Sequence, residues 1–223
     1  MKKQTDTQAG FSLVEMVVAV SIFFLVIAGV SIVGDASDRA YRTGTTTAQL
    51  EAQAAQAIGR IVAELSIAGI DTFVTPPTAG IPSAQLEYLK AVGLVDGEVQ
   101  WTPLRRLRRE YEAGEIDDGL DNNGNGLVDE CCVVLTENLG LSDERRLVLT
   151  RWVPELLVGE VANGVDDNGN GLVDEPGFCV ERAGEAFVVR LSLQRRDAHG
   201  RLLNRTASTS TRIRNRESSE EGS

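Results

Sequence analysis

Histidine is nearly missing from this 223-residue chain: His199 is the only one. That removes the commonest general base and the commonest transition-metal ligand. His199 itself sits in the turn Asp197-Ala198-His199-Gly200, as a solvent-exposed residue. No nucleophile–base set and no phosphate-binding glycine loop is visible either, so the sequence reads as no enzyme. Cysteine is scarce: Cys131, Cys132 and Cys179 are too few for a disulfide scaffold. Positive charge is short as well, with 22 Lys and Arg against 33 Asp and Glu, a net −11. Nucleic-acid binding wants a basic footprint, and this balance argues against one; it suits a protein that meets divalent cations. The one basic run is Arg105, Arg106, Arg108 and Arg109, with only Trp101 and Tyr111 near it. It reads as a solvated strand face.

What the chain does have is one long apolar run. Residues 11–33 carry a single charge, Glu15. As a helix they reach roughly 35 Å, enough to cross a bilayer core. Buried soluble helices rarely run so far without a polar face. The ten residues before the run are polar, and Lys2 and Lys3 favour a cytoplasmic N-terminus. A secretory signal would place its cleavage site after the apolar region, but the abrupt junction here, Gly10–Phe11, lies before it. An ionisable residue in hydrocarbon calls for a partner. If the chain is cut after Gly10, the new amine at Phe11, four residues from Glu15, is the natural counter-ion, in this chain or a packed neighbour. Cleavage also removes Lys2, Lys3 and Asp6, leaving 20 basic against 32 acidic side chains.

After the apolar run, Leu50, Ala54, Ala57, Ile58, Ile61, Leu65 and Ala68 recur at helical spacing. The spacing predicts one helix from Phe11 to Ala68, stopped by Gly69. A bend or fray is expected at Gly44-Thr45-Thr46-Thr47, where helix propensity is poor. Pro76, Pro77 and Pro82 mark a loop leaving the helix, and a short helix is expected over 84–92. Strands are expected at 98–101, 106–112, 132–136, 146–154, 186–195 and 201–212, the last two forming a hairpin.

Two loops repeat. Residues 118–130 read D-G-L-D-N-N-G-N-G-L-V-D-E and residues 163–175 read N-G-V-D-D-N-G-N-G-L-V-D-E, identical at 10 of 13 positions. Chance does not give that, so this is one functional loop used twice. Counting Asp121 as position one, oxygens fall at Asp121, Asn123 and Asn125, with Gly126 at six, the Leu127 carbonyl at seven and Asp129 at nine. Asp166, Asn168, Asn170, Gly171, Leu172 and Asp174 fill the same places in the second copy. Alternate oxygens and then a glycine are how an EF-hand-type loop wraps calcium. No His or thiol interleaves these ligands, which makes a hard cation the expected guest. Position twelve departs from that pattern, being Cys132 and Gly177; Glu130 and Glu175 at position ten are the candidate replacements. Strand-like flanks rule out a helix–loop–helix sensor. The loops resemble the D-x-[DN]-x-[DN]-G calcium loops of secreted bacterial proteins, and two bound calcium ions are expected.

G-F-S-L-V-E at 10–15, followed by the apolar run, resembles the class III signal of type IV prepilins and type II secretion pseudopilins. That resemblance implies cleavage between Gly10 and Phe11 by prepilin peptidase and methylation of the Phe11 amine. It makes the apolar helix a filament spine and Glu15 the partner of a neighbouring N-terminus during assembly. The R-I-V-A-E-L-S-I-A-G run at 60–69 and I-R-N at 213–215 are similar to J-type minor pseudopilins and PilW-like minor pilins, more loosely. The implied fold is α+β and pilin-like: a long N-terminal helix packed on an antiparallel sheet, with calcium-loop insertions between strands. The expected layout is a leader (1–10), a transmembrane helix (11–34), an amphipathic second half (35–70), a globular β domain (71–215) with loops at 117–130 and 163–175, and a disordered tail (216–223). The expected setting is the inner membrane, single-pass, with a periplasmic globular domain that later enters a periplasmic pseudopilus or a surface pilus. Partners would be other pilin or pseudopilin subunits. In that oxidising setting one disulfide is expected, from Cys179 to Cys131 or Cys132. The rival reading is a calcium-dependent adhesin or partner-binding module at a filament tip.

Overall fold

A computed structural model describes residues 12–213 and 215. The leader, the Gly10–Phe11 junction and the tail 216–223 lie outside the described residues. The chain divides into two units, Met1–Thr45 and Thr46–Ser223. One helix, α1 (Leu13–Ser66), runs from the first into the second. Its first part is long and apolar enough to cross a membrane, and its side chains from Leu13 to Val33 are exposed. The expected fray at Gly44–Thr47 is not found, because α1 continues through it unbroken. Elongating a helix costs little beside nucleating one, and the Thr45 hydroxyl donates to the Arg42 carbonyl (2.9 Å). The boundary between the two units falls in this same stretch.

In the second unit, the apolar stripe anticipated from spacing is the face that α1 buries: Leu50, Ala54, Ala57, Ile58, Ile61 and Leu65. Gly69 is not the left-handed stop expected of it, since α1 ends at Ser66 and Gly69 is extended (φ −85°). Its role is space, because a Cβ there would run into the side chains of Thr72 and Trp101.

Among the described residues the strands pair antiparallel and form three sheets. The largest has the order β1 (Gln85–Tyr88), β4 (Arg105–Tyr111), β5 (Cys131–Glu137), β6 (Arg145–Val153). A two-stranded ribbon pairs β2 (Ala91–Val95) with β3 (Glu98–Trp101). A meander joins β7 (Phe178–Ala183), β8 (Ala186–Arg196) and β9 (Leu202–Thr211). The helix expected over 84–92 is therefore corrected to β1 and the start of β2. Leu86 and Tyr88 pair with Leu107 and Arg105 of β4 and are fully buried, and that long-range pairing outweighs local helix preference.

The core lies between α1 and the inward faces of these strands. Leu107, Val133, Leu135, Phe178, Val180, Phe187, Val189, Leu191 and Leu193 meet the helix stripe there. Phe73 tilts against Tyr88 and stacks on Phe187 at 5.6 and 5.7 Å between centroids. One ionic cluster is enclosed with them: Arg105 reaches Glu64 (2.7 Å) and Glu137 (2.6 Å), and Lys90 also meets Glu64 (3.3 Å). Near the end of the described chain, Asn215 bridges to Gly69 and accepts from the Ile70 N–H at 2.8 Å. The β8–β9 turn at 198–200 carries His199, as expected.

The bridge expected between Cys179 and Cys131 or Cys132 is also corrected, because all three are free, buried thiols. Both candidate partners open β5, whereas Cys179 lies on β7 in another sheet. Burial pushes Cys131 and Cys179 up to about 12 and Cys132 up to about 11, which keeps them protonated and inert.

Candidate functional site

Both repeated loops connect strands: the first leads from β4 to β5, the second from β6 to β7. Their backbone marks a longer repeat than the thirteen-residue motif. The Glu112 N–H donates to the Glu130 carbonyl (3.0 Å), and the Leu157 N–H to the Glu175 carbonyl (2.7 Å). Each loop thus closes on itself over 112–130 or 157–175, positions that differ by 45. Within these spans five positive-φ residues recur in register: Gly114 and Gly159, Gly119 and Gly164, Gly124 and Gly169, Gly126 and Gly171, Asp129 and Asp174. The two loops are one backbone conformation built twice. Four of the five pairs are glycine, which takes this conformation without strain; the fifth is aspartate, one of the few other residues found there.

Asp121 sits at the centre of the first loop. One of its oxygens accepts the N–H groups of Gly124 and Asn125 (2.7 and 3.1 Å), and the other accepts that of Gly126 (2.8 Å). Asp166 receives Gly169, Asn170 and Gly171 in the same way. Those backbone donors, Gly171 first, hold the Asp166 carboxyl below its usual range. Asn123 and Asn125 turn their side-chain oxygens onto loop N–H groups, as do Asn168 and Asn170. Leu127 and Leu172 bury their side chains and so peg the loops to the protein. Asp129 and Asp174 cap the loop entrances: Asp129 accepts from the N–H groups of Asp118 and Gly119, Asp174 from those of Asn163 and Gly164.

The glutamates are the unusual feature. Glu130 and Glu175 are fully buried. One oxygen of Glu130 accepts the amides of Asn123 (2.6 Å) and Asn125, and one oxygen of Glu175 accepts that of Asn170. The second oxygen of each is buried and has no partner. Among the described residues no cationic side chain pairs with either one. Burying a carboxylate unpaired is costly, so the donor set fits a cation seated inside each loop. The chemistry of that set, carboxylate and amide oxygens with no nitrogen or sulfur, fits calcium.

Two residues that the motif did not flag belong to these loops. Glu115 is buried and accepts the Asn123 N–H (2.7 Å); Glu160 is buried and accepts those of Asn168 (3.0 Å) and Asp174 (3.1 Å). Gly114 and Gly159 precede them; a Cβ on Gly159 would press on the Cβ of Asn168 (3.2 Å), and one on Gly114 would touch that of Asn123 (3.4 Å). The signal was there in the sequence, since a G-E pair stands at 114–115 and at 159–160, just beyond three mismatched positions. Outside the loop interiors, carboxylate oxygens of Asp117, Asp129 and Glu155 lie within 4.8 Å of one another. Burial, together with Glu155 and Asp117, pushes nearby Tyr111 up to about 12. Among the described residues the second loop forms no such trio, and Ala162 stands where the first has Asp117.

The basic run splits by strand alternation. Arg105 is buried against Glu64, while Arg106 and Arg108 pair with Glu87 and Glu110. Arg109 donates to the Glu155 carbonyl (2.6 Å) at the base of the second loop.

At the other end of the chain, Ser12 and Glu15 form a reciprocal capping box. The Ser12 N–H donates to the Glu15 carboxylate (2.9 Å), and the Glu15 N–H donates to the Ser12 hydroxyl (3.2 Å). Serine and glutamate at this spacing thus start the apolar helix. The Phe11 amine, the expected partner of Glu15 after cleavage, is outside the described residues. Residues 6–31 match the family model described as the prokaryotic N-terminal methylation motif. The match is confined to this N-terminal segment and indicates a prepilin-type methylation signal, the signal of type IV pilins and pseudopilins. That kind is structural rather than enzymatic, works with pilin subunits and prepilin peptidase, and fits a single pass through the inner membrane by the apolar part of α1. No curated protein and no solved structure matches the chain.

Proposed function

We propose that this protein is a minor pilin or pseudopilin, cut after Gly10, methylated at Phe11, and built into a type IV pilus or a type II secretion pseudopilus. The observation that supports it most is the methylation motif over residues 6–31 on a helix that carries one acid, Glu15, in its first turn. The globular unit would reside in the periplasm before assembly. Its loops 112–130 and 157–175 each hold one calcium ion, with ligands drawn from Asp121, Asn123, Asn125, the Leu127 carbonyl, Asp129 and Glu130, and from Asp166, Asn168, Asn170, the Leu172 carbonyl, Asp174 and Glu175. The buried, partnerless oxygens of Glu130 and Glu175 support that role. The ion is structural: each loop is polar and cannot offset its ordering cost by burying apolar surface, so binding to the folded state supplies the stabilisation.

Co-expression with prepilin peptidase, followed by mass spectrometry of the N-terminus, tests the first part. The expected product begins with methylated Phe11. Glu15→Val should still be cut but should fail to enter filaments. A mature protein that begins elsewhere, or Glu15→Val assembling as wild type, would sink the reading.

A second reading has its own observation. The loops expose Ile116, Leu120 and Val128 in the first copy, and Val161, Val165 and Val173 in the second. Apolar side chains held out on polar loops fit a partner-binding surface displayed on the filament. Under that reading, changing these six to serine spares assembly and abolishes attachment to the partner.

A further inference from the structure

We propose that the two loops are unequal calcium sites: Glu115 is an additional ligand of the first and tighter site, whereas its counterpart Glu160 only braces the second. This rests on the calcium reading of the loops and deepens it. Glu115 and Glu160 occupy equivalent places, eight residues before Asn123 and Asn168, and each accepts that asparagine's N–H. Their second oxygens differ. In the second loop, Glu160 directs it at the Asp174 N–H (3.1 Å), so the side chain ties loop positions three and nine together. In the first loop, the second oxygen of Glu115 is buried and has no partner.

The first loop therefore encloses two open carboxylate oxygens, from Glu115 and Glu130, and the second loop only one, from Glu175. Glu115 is 5 % exposed and Glu130 0 %. Among the described residues no Lys, Arg or His forms an ion pair with either. Arg196 approaches the first loop, but its contact there is with the Gly126 carbonyl at position six, which is not one of the ligand positions. Charge differs in the same direction. Residues 113–130 contain Glu115, Asp117, Asp118, Asp121, Asp129 and Glu130, whereas 158–175 contain Glu160, Asp166, Asp167, Asp174 and Glu175, with no basic residue in either. Calcium affinity in such loops follows the number of charged ligands and the rigidity of the site. One more carboxylate oxygen on the ion sets the first loop above the second.

The test is a calorimetric calcium titration of the detergent-solubilised full chain, stripped first with chelator. The expected result is two binding steps about tenfold or more apart in Kd. Glu115→Gln, which keeps an acceptor for the Asn123 N–H, should weaken the tight step about tenfold or more and leave the other within about twofold. Glu160→Gln should affect only the weaker step. Should Glu115→Gln fail to fold, Asp121→Asn and Asp166→Asn assign the steps without it: the first should remove the tight step and the second the weak one. Two equal steps, a tight step unchanged in Glu115→Gln, or a tight step lost in Asp166→Asn would overturn the inequality while leaving calcium binding in place. A wild-type protein that gives no calcium heat would overturn the calcium reading itself, and this inference with it.

Discussion

Replacing Glu130 by glutamine should change the sign of its effect with calcium. The side chain is fully buried, one oxygen is shared by the Asn123 and Asn125 amides, and the other meets nothing. Glutamine keeps the shape and one acceptor for the two amides, and replaces the unmet charged oxygen by a neutral amide group, which costs less to bury. An unmet buried acceptor costs about 1–3 kcal/mol, more when charged. Without calcium, Glu130→Gln should therefore be more stable than wild type by on the order of 1–2 kcal/mol. For a chain of this size that is an upward shift of about 2–8 °C. With calcium at about one hundred times its Kd, wild type gains roughly 2.7 kcal/mol at this loop. The variant loses most of that gain, so the order of the two melting curves reverses. The assay is a thermal melt of the full chain in detergent, followed by the fluorescence of Trp101 and Trp152, in chelator and in millimolar calcium. Trp152 reports on the globular unit because Arg195 packs over its ring at 4.8 Å. If Glu130→Gln melts below wild type in chelator and still shifts fully with calcium, the carboxylate is an ordinary hydrogen-bond acceptor and the argument fails.

Ile61→Ala should cost about 2–5 kcal/mol, because Ile61 is fully buried at the centre of the helix stripe; chemical denaturation of the full chain in detergent measures it. Gly177→Ala should lower the melting temperature more than Gly44→Ala does. A Cβ at 177 is driven into the Pro154 carbonyl, whereas one at 44 meets open space. The thiols give a pH dependence. Cys131 and Cys179 titrate at about 12 in the fold, against 9.0 when unperturbed, so above pH 9 the unfolded chain releases protons that the folded chain keeps. Stability is then intact below about pH 9 and falls with pH up to about 12, by roughly 1.4 kcal/mol per unit for each thiol. Alkylation at pH 8 should be slow until the protein is unfolded; rapid labelling of the native protein would contradict the burial.

Local chemistry was written in the sequence. The apolar run, Glu15 and the glycine–phenylalanine junction needed no tertiary information, because each depends on composition and short spacing alone. The helix stripe from Leu50 to Leu65 was legible for the same reason: a 3.6-residue period survives whatever packs on it. Phe187, Val189, Leu191 and Leu193 alternated clearly because β8 buries that face from Phe187 to Leu193. The paired acidic loops announced themselves by repetition.

Long-range pairing was not legible. Nothing local marks 85–88 as a strand, and pairing with β4 makes it one. An oxidising setting pointed to a bridge, but the strands that carry the cysteines enter different sheets. Glu115 and Glu160 stand outside the thirteen-residue motif, and the closing hydrogen bonds at 112–130 and 157–175 draw them into the loops. Sequence determined that the chain has a spine helix and twice-built acidic loops, since both rest on neighbours a few residues apart. Only the tertiary structure decided which acids those loops bury without a partner, because burial depends on residues distant in sequence.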